Sequence, residues 1–358
     1  MKYKHLLLFW ITIYIFLSGS VITFNYIIDP LQIFRPHTKG LNINERYQNA
    51  GIINSYLKLD SRFNAIVIGT SMSQNFDAFQ IQKSLAWGKT LKLTASGSIP
   101  NTQQVFLEKA LSTNHVKYIL WEINNSYAIE DISIAEERSV MPKWLYRGNI
   151  FTIIQKYLYN IDTIKDSKTI LLDKWDGKTI NTYSNWMNEF KNSFTIYASK
   201  EYSQKRTKDL EPLQNIKIEY TYTNNFPSLN TFVLSTVKKN TDVNYIFYFP
   251  PYNKHYYAIR DNKTISRELS MRRTLVNLLS TYSNTEIYAF DTYALTLQSC
   301  NYKDDRHYSD KINSLILEMI ANKKGLLNDV NIKEYEKEFI TQLNQYRHSL
   351  AYSRKENN

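Results

Sequence analysis

Two stretches of this chain hold residue types that can pass a proton to and from a nucleophile. The first is Gly69-Thr70-Ser71, at the end of the apolar run Ile66-Val67-Ile68. A serine at a strand-to-helix junction lies at the carboxyl edge of a sheet, where open α/β folds bind their ligands. A helical pattern from about Gln74 to Leu85 follows at once. The N–H groups of its first turn would then face a developing oxyanion, while in the plain structural reading Ser71 is simply its N-cap. Gly69 would let the chain turn tightly beside a substrate. The second stretch, Asn301 to Ser309, contains Asp304-x-x-His307. A nucleophilic serine needs a base, and the base needs a carboxylate that fixes its tautomer and stabilises the imidazolium. Of the six histidines, His5 flanks an N-terminal apolar run, His37 follows it and His348 lies in a charged tail. Among His115, His255 and His307, only His307 has an acid at such spacing just before a helix at the end of the sheet. The alternative here is a solvated loop whose Ser309 caps that helix.

The elements that must position these residues are legible as an alternation of short apolar runs and longer helical patterns, the signature of a parallel sheet built from strand-helix-strand units. The predicted strands are Ala65–Ile68, Thr90–Leu93, Tyr118–Ile123, Tyr245–Phe249 and Glu286–Phe290, rich in β-branched and aromatic residues as strands buried on both faces should be. Helices are predicted at about Gln74–Leu85, Thr102–Leu111, Ile265–Leu279 and Ser309–Asn322. Residues of roughly 130 to 240 form one long insertion, helical at Ile150–Tyr159. Residues 326–358 read as a charged C-terminal helix and tail, with Ile332, Tyr335, Phe339, Leu343 and Tyr346 at helical spacing.

With both motifs in view, the chain resembles the SGNH (GDSL-like) hydrolase superfamily over about residues 60–325. Gly69-Thr70-Ser71 stands where that family has its Gly-Asp-Ser block, and Asp304-x-x-His307 lies near the C-terminus. The resemblance implies a flavodoxin-like parallel sheet sandwiched by helices, with Ser71 as nucleophile, His307 as general base and Asp304 as its orienter. Asp305 is the alternative orienter. It also implies an oxyanion hole in which the N–H of Gly97, from Thr94-Ala95-Ser96-Gly97-Ser98, joins that of Ser71. A third donor should come from an Asn after the third strand. The chain has Glu122-Ile123-Asn124-Asn125-Ser126 there rather than the family's Gly-x-Asn-Asp form. Asn124 or Asn125 is the candidate, and a turn-forming Asn pair the alternative.

Further residues could touch a substrate. Tyr252 follows Phe249-Pro250-Pro251 at the same sheet edge, where the prolines end the strand. Trp144, Trp175 and Trp186 could stack on sugar rings, although burial in the core is the default for tryptophan.

The composition frames the function. The chain has 358 residues, 43% of them hydrophobic, with 9 Gly, 8 Pro and one Cys, which excludes disordered, collagenous and disulfide-stapled classes. The net charge of +11 suits an anionic partner, yet no block of five or more like charges marks a nucleic-acid arm. From Leu6 to Ile28 there is no Asp, Glu, Lys or Arg, enough for a helix of about 34 Å. The alternative is a cleaved signal peptide with Ser18-Gly19-Ser20 ahead of the cut; the run continues past that point to Ile28, too long for a signal-peptide core, and reads as an uncleaved anchor, residues 1–29, followed by a juxtamembrane stretch at 30–60. Lys2 and Lys4 before the run, against the single Asp29 just after it, would place the N-terminus in the cytoplasm and everything from Pro30 onward, with the expected catalytic domain at 61–325, outside it. Such an anchor joined to an external catalytic domain resembles the alginate-type acetyltransferases and the D-alanine transfer proteins of teichoic acids. The expectation is therefore an O-acetyltransferase or esterase acting on a cell-envelope polysaccharide, with a membrane-bound O-acyltransferase as a partner. The alternative is a non-catalytic glycan-binding or assembly protein of the same fold. No metal or nucleotide cofactor is expected, since there is no His cluster with ligand spacing and no Gly-rich phosphate loop.

Overall fold

The apolar runs become strands where the sequence predicts them. In the computed structural model, which describes residues 2–36, 45–129, 141–172, 191–213 and 216–355, they are β1 (Phe63–Gly69), β2 (Lys89–Thr94), β3 (Tyr118–Glu122), β4 (Asn244–Phe249) and β5 (Thr285–Ala289). The sheet order is β2-β1-β3-β4-β5-β6. β1, β3, β4 and β5 run parallel, with Val67 opposite Leu120, Leu120 opposite Ile246 and Phe247 opposite Ile287. Ile66, Val67, Ile68, Ile119, Leu120, Trp121 and Phe247 are fully buried, as expected of parallel strands covered on both faces.

One edge departs from the expected all-parallel sheet. β6 (Leu326–Leu327) pairs antiparallel with β5 and is too short to show a period. Gly325 makes it possible: its backbone is left-handed (φ 81°), and a Cβ there would meet the Ala289 carbonyl oxygen at 2.6 Å. The chain therefore turns directly from the helix Asp310–Ala321 onto the β5 edge, where Ala289 N–H donates to the Gly325 carbonyl at 2.9 Å.

By contact the chain divides into two units. One takes in the described residues of Met1–Phe63, Val105–His115 and Val140–Tyr183. The other takes in those of Asn64–Gln104, Val116–Ser139 and Ser184–Asn358, and carries the sheet from Asn64 onward. The single insertion expected at about 130–240 is thus shared between the units. The first unit contains the helix Lys2–Ile28, which is long and apolar enough to cross a membrane.

The C-terminal helix Ile332–Lys355 is no appendage but part of the sheet-bearing unit. Ile332, Phe339 and Leu343 are buried, and the buried Arg347 donates to the carbonyls of Ala258, Arg260 and Ile216 at 2.9, 2.7 and 2.9 Å. Packed beside it, the helix Asn262–Leu279 buries Arg272, which pairs with Asp291 at 2.8 Å. Tyr257 and Tyr335 donate to the same carboxylate at 2.6 and 3.1 Å.

Glu268, one turn earlier, is also buried. Its Oε1 accepts from the Asn125 amide at 2.7 Å and from the Tyr256 hydroxyl at 3.3 Å, while Oε2 has no hydrogen-bond partner among the described residues. Burial pushes its carboxyl up to about 7, with the Arg272 charge opposing. The folded state therefore holds this proton at pH values where the unfolded chain has lost it. Stability should fall as pH rises from about 4.5 to about 7 and level off beyond. Glu268→Gln removes the ionisation. Its melting temperature relative to the native protein is expected to rise progressively across that window, a trend that thermal unfolding at a series of pH values will detect.

Candidate active site

β1 ends at Gly69, and the expected helix does not begin there. Two tight turns come first, closed by Ser73 N–H on the Thr70 carbonyl (3.1 Å) and Phe76 N–H on the Ser73 carbonyl (3.3 Å). The helix is Ala78–Leu85, capped by Asp77, whose carboxylate accepts from the N–H groups of Phe79 and Gln80 at 2.7 and 3.0 Å. Ser71 is therefore no N-cap, and those first-turn amides serve Asp77 rather than an oxyanion. The chain stays in turns because its hydroxyls have a stronger partner than a helix would offer.

That partner is Glu122, the last residue of β3 and fully buried. Oε2 accepts from Thr70 N–H at 2.9 Å and from Ser73 Oγ at 2.6 Å, and Oε1 accepts from Thr70 Oγ1 at 2.6 Å. Ser73 Oγ also meets the Tyr248 hydroxyl at 2.7 Å. A buried carboxylate is tolerated only when its charge is met by such donors. Together they fix the residues on either side of Ser71. Gly69 is needed for room rather than for backbone freedom: a Cβ would lie 2.1 Å from Ser73 Oγ and 2.6 Å from Glu122 Oε2.

The histidine arrives on a short closed loop. Tyr302 and Tyr308 form an antiparallel bridge, and Lys303 N–H donates to the His307 carbonyl at 2.9 Å. Both tyrosines are fully buried, and the Tyr302 hydroxyl donates to the Pro251 carbonyl at 2.8 Å. Within this loop the Asp304 carboxylate accepts from the backbone N–H groups of Arg306 (2.9 Å) and His307 (2.8 Å), while its Oδ2 lies 2.8 Å from His307 Nδ1. His307 Nε2 is 2.9 Å from Ser71 Oγ. Two further bonds tie the turn to the elements around His307. The Asn313 amide donates to the Met72 carbonyl at 3.1 Å, and that of Asn75 to the Tyr308 carbonyl at 3.5 Å.

The electrostatics follow from this geometry. Partial burial works against the Asp304 charge, but the His307 side chain and the two backbone amides outweigh it and hold the carboxyl down at about 2. A carboxylate on Nδ1 favours the tautomer that carries its proton there and leaves the Nε2 lone pair facing the serine hydroxyl. The three side chains thus form one continuous hydrogen-bonded chain.

Asp305, the alternative orienter, turns elsewhere: its carboxylate accepts from the Tyr197 hydroxyl, and its carbonyl accepts from Asn253 N–H at 3.0 Å. Gly97 sits in a turn closed by Ser98 N–H on the Ala95 carbonyl, with left-handed backbone (φ 61°). That turn is anchored two residues from Ser71, since Ala95 N–H and Ser98 Oγ both donate to the Gly69 carbonyl, at 3.1 and 2.8 Å. Asn124 caps a short 3₁₀ turn through Ser126 and donates to Glu122 Oε1 at 3.3 Å, beside the clamp. Asn125 points its amide at Tyr256 and Glu268 instead. Tyr252 is buried, its ring 4.7 Å from that of Tyr256 and 6.0 Å from that of Tyr257. Trp144 belongs to the helix Lys143–Arg147 of the other unit, and Trp175 and Trp186 lie outside the described residues.

Sequence reasoning missed Glu122, Ser73 and Tyr248. A signal existed for the first: a lone carboxylate closing an otherwise apolar buried strand has to be paired. Among the described residues, no group of three or more His, Cys, Asp or Glu side chains is arranged to hold a metal ion. In comparisons with known proteins, no family model matches the chain and no curated protein matches it.

Two outcomes test this geometry. Glu122→Leu strands the Thr70 N–H and takes the carboxylate acceptor from the Thr70 and Ser73 hydroxyls in a buried site, so chemical denaturation should register a loss of about 3 kcal/mol or more. For Asp304, a carboxyl held low stabilises the fold above the ordinary value of 3.8, and that stabilisation is lost as pH falls toward about 2. The melting temperature of the native protein relative to Asp304→Asn should decline as pH falls from ~4 to ~2.

Proposed function

We propose that this chain is a membrane-anchored, extracytoplasmic serine acyl-transfer enzyme of the SGNH type, either an O-acetyltransferase or an esterase acting on a cell-envelope polysaccharide. The observation that carries the reading is the chain of hydrogen bonds Ser71 Oγ–His307 Nε2 and His307 Nδ1–Asp304 Oδ2, at 2.9 and 2.8 Å. Its position supports the same reading. Strand order 2-1-3-4-5 is the flavodoxin-like one, and in such sheets ligands bind beyond the carboxyl ends of the strands where the order reverses, here between β1 and β3. Ser71 follows β1 by two residues, and Glu122 ends β3.

In this mechanism Ser71 Oγ attacks the acyl carbonyl carbon as its proton passes to His307 Nε2. Asp304 holds the resulting imidazolium by Nδ1–H. The carbonyl oxygen becomes an anion, stabilised by backbone N–H groups at Ser71 and Gly97 with the Asn124 amide as third donor. His307 then gives its proton to the departing alcohol oxygen, leaving the acyl group on Ser71. Water or a sugar hydroxyl, deprotonated in turn by His307, releases it. Water makes the protein an esterase; a sugar hydroxyl makes it an O-acetyltransferase, with a membrane-bound O-acyltransferase as the partner that supplies the acyl group. The net charge of +11 favours an anionic polymer, and the apolar helix Lys2–Ile28 favours work at a membrane.

A fluorophosphonate probe phosphonylates an activated serine and little else. The native protein should be labelled on Ser71, and labelling should fall at least about 1,000-fold in Ser71→Ala and His307→Ala. Folded native protein that takes no label would instead mark a glycan-binding or assembly protein.

A further inference from the structure

The unit that contains the N-terminal helix has a second apolar feature, the segment Ile150–Leu172. It consists of a helical stretch from Ile150 to Leu158 and the helix Ile161–Leu171. Both dock on the last turns of the helix Lys2–Ile28 through polar groups that are unusual in so apolar a helix. Asn25, fully buried, donates to the Leu158 carbonyl at 2.8 Å and accepts from Ser167 Oγ at 3.0 Å. Asp29, also fully buried, accepts from the Tyr157 hydroxyl at 2.8 Å and from the N–H groups of Ile33, Phe34 and Arg35 at 2.9, 2.8 and 3.1 Å. The Tyr159 hydroxyl reaches farther back along the helix, to 3.4 Å from Ser18 Oγ.

This docking fixes a depth. Asn25 lies about 4.5 Å along the axis from Ile28, the end of the helix, which is headgroup level for a helix that spans a bilayer. The same segment turns large apolar side chains outward. Phe151 is 77% exposed, Ile161 63%, Leu171 56% and Leu172 53%. Lys156, Lys165 and Lys168 are exposed among them, Lys165 paired with the equally exposed Asp162 at 2.8 Å. Exposed apolar side chains interspersed with lysines are the composition of helices that lie in a membrane interface.

We propose that Ile150–Leu172 is an in-plane membrane element, bound to the anchor through Asn25 and Asp29, whose exposed apolar side chains enter the phospholipid leaflet while its lysines meet the phosphates. It rests on the reading of the N-terminal helix as a membrane anchor. A lone spanning helix can rotate and tilt freely; a second contact with the same leaflet at the anchor's carboxyl end removes that freedom from this unit.

The test uses the full chain reconstituted in phosphatidylcholine–phosphatidylglycerol vesicles, with and without bromine on the acyl chains. Phe151→Trp and Ile161→Trp each add one indole, read as the difference from the native protein. Trp10, inside the helix Lys2–Ile28, is read as the difference between the native protein and Trp10→Phe. The added indoles should emit at the blue end of the tryptophan range and lose most of that emission in brominated lipid. Unquenched emission from both, with Trp10 quenched, overturns the proposal and leaves the anchor standing. Unquenched Trp10 removes the anchor and the proposal with it.

Discussion

A serine hydroxyl does not give up its proton to solvent near neutral pH, so any chemistry at Ser71 depends on a base held within hydrogen-bond reach. The base in question is 236 residues away in sequence, and its Nε2 lies 2.9 Å from Ser71 Oγ. Bringing two loops together at that distance costs chain entropy, and the hydrogen bond between them is worth only about 1 kcal/mol. The approach is therefore held by what surrounds it. The Ser71 turn is bound from behind by the Glu122 carboxylate and from the side by Asn313, its own Asn75 reaches the Tyr308 carbonyl, and the His307 loop is closed on itself by the Tyr302–Tyr308 bridge. Asp304 and His307 need no distant partner to find each other, because one turn of chain carries both.

Glu122 carries the largest share of this positioning. A carboxylate with no exposed surface is costly, and it is retained here with three donors from Thr70 and Ser73 on its two oxygens. The consequence reaches Gly69, where a Cβ would overlap both Ser73 and Glu122. Strand end, glycine, serine turn and carboxylate thus form one packed unit at the reversal point of the sheet. Glu122, one of the two residues at which the chain differs from the Gly-x-Asn-Asp form of the family it resembles, is also the residue that shapes the Ser71 turn.

Much of this was legible in the sequence. Strands buried on both faces announce themselves as apolar runs, and all five predicted runs lie within a residue or two of β1 to β5. Asp304-x-x-His307 was legible because the carboxylate and imidazole are local to one loop. What escaped depends on contacts across the chain. The helix after Ser71 starts at Ala78 rather than at once, because Thr70 and Ser73 bond to a carboxylate some fifty residues away in sequence. β6 is two residues long and depends on one glycine conformation. The division of the insertion between two units turns on polar groups in the N-terminal helix, Asn25 and its contacts with Leu158 and Ser167, which a reading of average hydrophobicity passes over.

The central claim is that Ser71, His307 and Asp304 act together as an acyl-transfer relay, and its most direct measurement is the covalent intermediate itself. Native protein mixed with an activated acetyl ester, quenched in acid within the first turnover and digested, should carry one acetyl group on the peptide containing Ser71. Acetyl found only on lysines, or on no peptide at all in folded protein, would contradict the account.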